Sequence, residues 1–485
     1  MKKYSNIIYN KYKNLPQSTK ASLWYIISNI ILKGISFITL PLFTRLLSTE
    51  EYGVLSIYQS WIVLISILTT LTIWGGVFNV VMVKQRDKQN EIVSSFQGLA
   101  CSITFIFLCL SIIFNNYISA WLGLSNLLTI LIFMEILVQI PYNLWSSKQR
   151  FLYKYKKMVI ITIVIGVLNP LIGYIAVIST EYKVEARIIT SLILYVILGI
   201  ILFIFNMNKS KKFYSYKLWK YAVIFNVPLI PHYLSTQILN QSDRLMINYM
   251  CGSSEAGIYS VAYNFAMILN LVISGINSSF TPFIYKNLNE KKYDEIKEYT
   301  NIVVLIVALL TIGFICFVPD IFFFLLPESY YPAIPVIPSV IAGVFFMFLY
   351  PLFGSIEFYF ENNNFISIAS IVGASLNIIL NYIFIPIIGF IFAAYSTLIC
   401  FVIFTLMHYY FTRRLLYSKG ENIPYDIKYL FKISIIVLLT MGFIQCFYNN
   451  MFIRWNIILI LVLILIYYKN DTILKLKSLF IKKRK

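Results

Sequence analysis

Charge is scarce in this sequence. Only 12% of its 485 residues are Asp, Glu, Lys or Arg, against 59% hydrophobic and 17% aromatic, with a mean hydropathy of +0.77. A soluble protein of this length cannot cover its surface with so few charges. Acid is scarcer than base: 20 Asp+Glu stand against 40 Lys+Arg, a formal charge of +20. A Walker-type glycine loop, an HExxH helix, a GxSxG elbow and a CxxC pair are all missing, which excludes ATP hydrolysis on this chain and the chemistries those motifs perform. The six cysteines, Cys101, Cys109, Cys251, Cys316, Cys400 and Cys446, lie mostly in apolar stretches with no histidine at metal-ligand spacing. They read as small core residues, and neither a metal nor a cofactor is expected.

What the sequence does contain is long apolar runs. A membrane-spanning helix needs about 20 predominantly apolar residues, so the chain has room for roughly fourteen spans and no sizeable catalytic domain. The runs predict helices near residues 21–44, 53–78, 92–114, 125–145, 158–178, 187–206, 218–242, 256–280, 299–326, 332–354, 363–384, 387–411, 430–448 and 451–468. Pro41, Pro170, Pro228, Pro231 and Pro338 fall inside them, where neighbouring helices can satisfy freed backbone groups. Continuous runs rather than ten-residue alternations exclude a membrane β-barrel. The fold expected is an all-α integral membrane protein of fourteen transmembrane helices.

Basic residues set the orientation. Alternate loops, together with both termini, hold 34 of the 40 Lys+Arg; the opposite loops hold Arg45, Lys183, Arg187, Arg244 and Arg454, and Lys33 lies within a span. By the positive-inside rule both termini are cytoplasmic. The first 20 residues are polar and basic and read as a cytoplasmic leader rather than a cleaved signal. The loop after the tenth span, holding Glu357 and Glu361 without a base, is the weakest point of this topology. Topology and contact with membrane lipids thus account for the charge, and nucleic acid is not an expected partner.

An internal repeat organises the spans. Glu51, Gly53 and Ser56 fall on Glu255, Gly257 and Ser260 at an offset of 204, and Arg45-Leu46-Leu47 falls on Arg244-Leu245-Met246 at an offset of 199. Each copy occupies an external turn, one between spans 1 and 2 and the other between spans 7 and 8. An even number of intervening spans keeps both halves in one orientation, so the predicted pseudo-two-fold axis runs along the membrane normal. The expected organisation is a six-helix lobe over 1–207, a basic cytoplasmic linker over 208–217, a second six-helix lobe over 218–411 and a C-terminal helix pair with a basic tail over 412–485.

The stretch from Lys33-Gly34 through Pro41-Leu42-Phe43-Thr44-Arg45-Leu46-Leu47-Ser48 to Glu51-Tyr52-Gly53 resembles the opening of the bacterial polysaccharide-biosynthesis flippases. Its counterpart, Asp243-Arg244 through Gly257-Ile258-Tyr259-Ser260-Val261-Ala262-Tyr263, resembles the same family's seventh-to-eighth helix signature. The family includes O-antigen and capsule repeat-unit flippases and belongs to the multidrug/oligosaccharidyl-lipid/polysaccharide (MOP) exporter superfamily. The resemblance implies a transporter, not an enzyme, that moves an undecaprenyl-diphosphate-linked oligosaccharide to the outer leaflet by alternating access. It also implies coupling to a proton or sodium ion, and a polysaccharide polymerase as a further partner.

An ionisable group at mid-bilayer costs at least about 2.5–3.5 kcal/mol, so each one needs a partner, a wet cavity or a function. Lys33, Glu135 and His232 are the deep candidates, and at the 199 offset Lys33 falls on His232. On one reading Lys33 and His232 line a substrate cavity while Glu135 partners a cation or carries the coupling ion. On the other, Lys33 pairs with Glu135 to hold two helices together, and His232 bonds to backbone freed by Pro228 and Pro231. Arg45, Asp243 and Arg244, at the outer ends of spans 1 and 7, read as an external gate or as interfacial anchors. Amides such as Asn377 and Asn381 are expected to bond across helices. Two other functions fit the composition: a multidrug/cation antiporter, whose cavity should be acidic, and an O-antigen polymerase-type enzyme, which needs a larger external loop than any present.

Overall fold

The computed structural model describes residues 15–461 and 463. Lys2, Lys3, Lys11, Lys13, the basic tail from Lys469 to Lys485 and most of the expected span beyond Leu461 lie outside the described residues. No strand occurs among the described residues, which form helices joined by short turns. Among the described residues thirteen helical segments are long and apolar enough to cross a membrane, and a shorter apolar helix, Met451–Leu461, stands where the fourteenth span was expected.

Packing divides the chain into two compact units, Met1–Gly257 and Ile258–Lys485. In the first, α1 (Gln17–Leu46) lies against α7 (Tyr155–Ile178), while α6 (Asn126–Phe151) packs on α4 (Gln89–Ile113) and α8 (Lys183–Asn208). Between α1 and α4 come α2 (Thr49–Thr70) and α3 (Gly76–Lys84); α5 (Asn115–Leu122) precedes α6. After α8 follow α9 (Tyr216–Asn226) and α10 (Ile230–Met250), separated by a 3-10 turn at Val227–Leu229 where Pro228 withholds a donor. Because α10 packs on α2, it clusters with the first unit, whereas the lobe boundaries expected from the repeat follow symmetry.

Two expectations are corrected. The span expected over 53–78 is broken: α2 stops at Thr70 and α3 begins at Gly76. Leu71 and Thr72 between them take φ of 52° and 48°, the left-handed region that side chains with a Cβ resist. Different clusters flank the break. Tyr58 on α2 packs with Leu131, Ile132 and Ile188, whereas Val77 and Phe78 on α3 pack with Phe96, Ile140 and Leu144. The second correction concerns the tenth span, whose helix runs five residues past its expected end to Tyr359, so Glu357 lies inside a helix rather than in a loop.

In the second unit, α11 (Ser253–Ala266, which straddles the unit boundary) leads to α12 (Ile268–Asn289), α13 (Tyr293–Leu325) and α14 (Ile337–Tyr359). Then come α15 (Asn363–Ile388), α16 (Phe392–Ser418) and α17 (Ile427–Cys446). The central helix is α14, packed on α12, α13 and α16. Most of its side chains are buried, as expected of a helix apolar all round. Outer helices instead expose apolar rows, such as Ile30 and Ile38 on α1 and Ile160 and Ile175 on α7. Such surface is unstable in water and is what lipid tails cover.

The repeat has a physical counterpart within the first unit. Ser48 caps α2, its Oγ accepting from the Glu51 amide at 3.1 Å while the Glu51 carboxylate accepts from the Ser48 amide at 2.7 Å. One turn later Gly53 meets the start of α11: a Cβ on Gly53 would stand 1.8 Å from the Ser253 carbonyl oxygen. Reciprocally, a Cβ on Gly257 would stand 2.0 Å from the Thr49 carbonyl oxygen. Thr49 and Ser254 share a hydroxyl hydrogen bond of 2.8 Å beside them. Equivalent positions of the two copies thus face each other in a reciprocal contact, the local signature of a two-fold axis.

Candidate functional site

The main polar constellation of the first unit gathers on α2, α6, α7 and α8. Glu135 on α6 is 6% exposed. Tyr58 Oη on α2 donates to its Oε2 at 2.8 Å and Gln139 Nε2, one turn along α6, donates to Oε1 at 3.0 Å. Ser191 on α8 supplies a further hydrogen bond, and the guanidinium of Arg187 acts on the carboxylate electrostatically. Arg187 in turn donates through Nη1 to Asn169 Oδ1 on α7 at 2.6 Å, and Asn169 Nδ2 donates to Ser191 at 3.1 Å. Its guanidinium lies 4.9 Å from the centre of the Phe43 ring on α1. Gly173 leaves the channel for this side chain, since a Cβ there would sit 2.9 Å from Arg187 Cδ. A buried carboxylate is tolerable only when its lone pairs are bonded and its charge is opposed, and both conditions are met.

This arrangement changes the expected partners. Glu135 is engaged by Tyr58, Gln139, Ser191 and Arg187, so the pairing with Lys33 does not occur. Arg187, expected in an external loop, sits instead in the second turn of α8 and joins the network. Lys33 is exposed on α1 and makes no ion pair among the described residues. His232 is half-buried in the first turn of α10; its Nδ1 has no hydrogen-bond partner among the described residues, so the expected bond to freed backbone is not made through that atom. The carbonyl of Pro231 is taken instead by Ser235 Oγ at 2.7 Å.

The remaining candidates lie further along. Arg45, in the last turn of α1, is exposed. Asp243 on α10 is 1% exposed, which excludes an interfacial anchor. Arg244 donates through Nη1 to Gln241 Oε1 at 2.6 Å, the same oxygen that accepts from Ser60 of α2 at 3.1 Å.

Three polar clusters stand out among the described residues of the second unit. Asn377 and Asn381 on α15 bond to each other at 3.3 Å and, as expected of such amides, across to α16: Asn377 to Thr397 at 3.4 Å, and Asn381 Oδ1 to Ser396 Oγ by a short hydrogen bond. Glu357 and His408, both buried, form a pair between α14 and α16, with His408 Nδ1 3.0 Å and 3.1 Å from the carboxylate oxygens. Thr412 Oγ1 adds a 3.2 Å bond to the same carboxylate. Sequence reasoning missed this pair because Glu357 reads as a loop residue beyond the expected end of the tenth span, which left only His408 inside an apolar stretch. Arg454 is likewise buried, gripping Asp320 through two bonds of 2.8 and 3.1 Å. Among the described residues no group of three or more His, Cys, Asp or Glu is placed to hold a metal ion.

These features have relatives. A family model described as polysaccharide biosynthesis protein matches residues 18–288, more than half of the chain, and a second, MatE, matches residues 228–383. Over 278 residues the chain is 24% identical to "Lsg locus putative protein 1" of Haemophilus influenzae, a match covering 56% of this chain and 67% of the relative. It is 26% identical over 276 residues to an "Uncharacterized membrane protein" of the same organism, covering 56% of this chain and 66% of the relative. Its fold is similar to that of a structure titled "Lipid II flippase MurJ, inward closed conformation", with a TM-score of 0.69 and 18% identity, covering 91% of this chain and 99% of the other. It is also similar to an inward-facing multidrug resistance MATE family transporter of the MOP superfamily, with a TM-score of 0.60 and 10% identity, covering 79% and 95%. The chain belongs to the polysaccharide biosynthesis protein family.

Proposed function

We infer that this protein is a flippase that moves a lipid-linked oligosaccharide across the bacterial inner membrane, from the cytoplasmic to the outer leaflet. The substrate proposed is an undecaprenyl-diphosphate-linked repeat unit for O-antigen or capsule assembly, carried by alternating access between two six-helix lobes. The observation that carries this reading is the state of the ionisable groups in the first unit. Glu135 is fully engaged by donors, whereas the base Lys33 on the first span makes no ion pair among the described residues. An uncompensated cation in a span is favoured only beside an anion or water, and a diphosphate supplies the anion. Lys33 and His232 are the proposed cavity groups, Glu135 the proposed carrier of the coupling proton or sodium ion, and Arg45, Asp243 and Arg244 the proposed external gate. A polymerase that consumes the flipped unit is the proposed partner.

The multidrug antiporter reading has one feature in its favour, the buried carboxylate of Glu135. It requires acid facing the substrate, and Glu135 faces Tyr58, Gln139 and Arg187 instead. The test is the location of the lipid-linked repeat unit in cells lacking the protein. Accumulation in the cytoplasmic leaflet is expected; accumulation in the outer leaflet overturns the flippase reading and points to a block in polymerisation.

A further inference from the structure

A cavity of about 870 Å³ opens at the end of the first unit where α1 and α7 begin and α6 and α8 finish. Its size lies in the range of small-molecule sites, about 300–1,000 Å³. Six of its basic lining residues are Arg86, Lys148, Lys154, Lys156, Lys157 and Lys209, and Lys20 completes the wall. Among the described residues Asp87 is the only acid lining it. None of the six makes an ion pair among the described residues, although Lys212 outside the cavity pairs with Glu91 at 2.6 Å.

Topology alone does not explain this geometry. The positive-inside rule counts Lys and Arg near span ends and is indifferent to where their side chains point. Here residues more than a hundred positions apart in sequence converge on one hollow. Lys148 is half-buried, bonded through Nζ to the neutral Asn90 Oδ1 at 2.5 Å, and the charges of Lys154 and Lys209 act on it. Crowding like charges around a partly desolvated ammonium is unfavourable unless a counter-charge enters. One carboxylate offsets one charge, whereas paired phosphoryl groups carry several charges within a few ångströms and accept hydrogen bonds from many donors. Trp145, Tyr155 and Phe205 on the same wall give the hollow an apolar side.

We propose that this basic cavity is a binding site for a ligand bearing two or more closely spaced phosphoryl charges. Such charge comes from an anionic lipid headgroup or from a soluble diphosphate, and the chemistry of recognition is the same. The site is separate from Lys33, Glu135 and His232, so it stands or falls apart from the transport reading.

The test uses the full chain, purified in neutral detergent. One arm titrates inorganic pyrophosphate; the other compares retention of cardiolipin with that of phosphatidylcholine by native mass spectrometry. The variants are the exposed triple K154E/K156E/K157E and the single K209E, with K428E, an exposed lysine of the second unit, as control. Pyrophosphate affinity is expected to fall at least tenfold in the triple variant and measurably in K209E, with K428E unchanged. Cardiolipin loss in the same variants identifies the lipid as the source; pyrophosphate binding alone identifies a soluble ligand. If wild-type protein binds neither probe, or K428E weakens binding as much as the triple, the proposal is wrong. Should the triple variant fail to elute as a folded monodisperse species, K209E against K428E decides.

Discussion

Gly53 and Gly257 pack against one another so closely that a Cβ on Gly257 would lie 2.8 Å from the Gly53 amide nitrogen and 3.1 Å from its Cα. Both flanking contacts are to backbone carbonyls, which cannot rotate away as a side chain could. Gly257→Ala is therefore expected to cost on the order of 1–3 kcal/mol, the usual range for overpacking a tight core. Gly53→Ala should cost a similar amount, because the contact is reciprocal. The thermal midpoint of each variant in detergent measures this; an unchanged midpoint in both would mean the helices can separate without loss.

The Glu357–His408 pair predicts an asymmetry between single and double substitution. Removing one member of a buried hydrogen-bonded pair strands the other, at a cost of about 1–3 kcal/mol. His408→Leu should therefore lower the midpoint more than the double variant E357L/H408L, in which neither buried polar partner is left behind. An additive double variant would show that the two side chains do not act on each other.

At Glu135 the shape-preserving change separates charge from packing. Glu135→Gln keeps an oxygen to accept from Tyr58 or Gln139, and protein level in the membrane should stay near wild type. If Glu135 carries the coupling ion, translocation falls at least tenfold and no longer responds to the ion gradient. Wild-type translocation in Glu135→Gln assigns the network a structural role only.

Lys33 supports the sharpest functional expectation. With no ion partner among the described residues to strand, Lys33→Ala should leave protein level unchanged while abolishing surface polysaccharide, and Lys33→Arg should restore part of it. Intact export by Lys33→Ala removes Lys33 from the cavity.

Much of the architecture was legible in the sequence because a bilayer imposes a coarse requirement, length and apolarity, that each span meets on its own. The repeat was legible because close backbone approach demands glycine at both Gly53 and Gly257, leaving a matched pair of letters. Pairings between spans were not. Arg187 lies close after the start of α8 and reads as an interfacial base until Asn169 and Glu135 are seen beside it. Glu357 and His408 are 51 residues apart, each at the end of an apolar run, and nothing local announces the partner. The break after Thr70 was hidden for a different reason: Leu71 and Thr72 carry no turn signature, and only the Gly75-Gly76 pair hints at it.

That break makes the second span two rods in series rather than one. An unbroken helix transmits rotation along its length, because each turn is bonded to the next. At Leu71 and Thr72 the ladder is interrupted by left-handed residues that each cost of order 1–3 kcal/mol and are held there by their surroundings. A twist applied at the Lys84 end therefore has no continuous helix to carry it to Tyr58, and its route to the Glu135 network is side-chain packing, since Phe78 clusters with Leu144 of α6, the helix that carries Glu135. The polar network is thus tied to that end of the span by packed side chains and not by a hydrogen-bonded backbone.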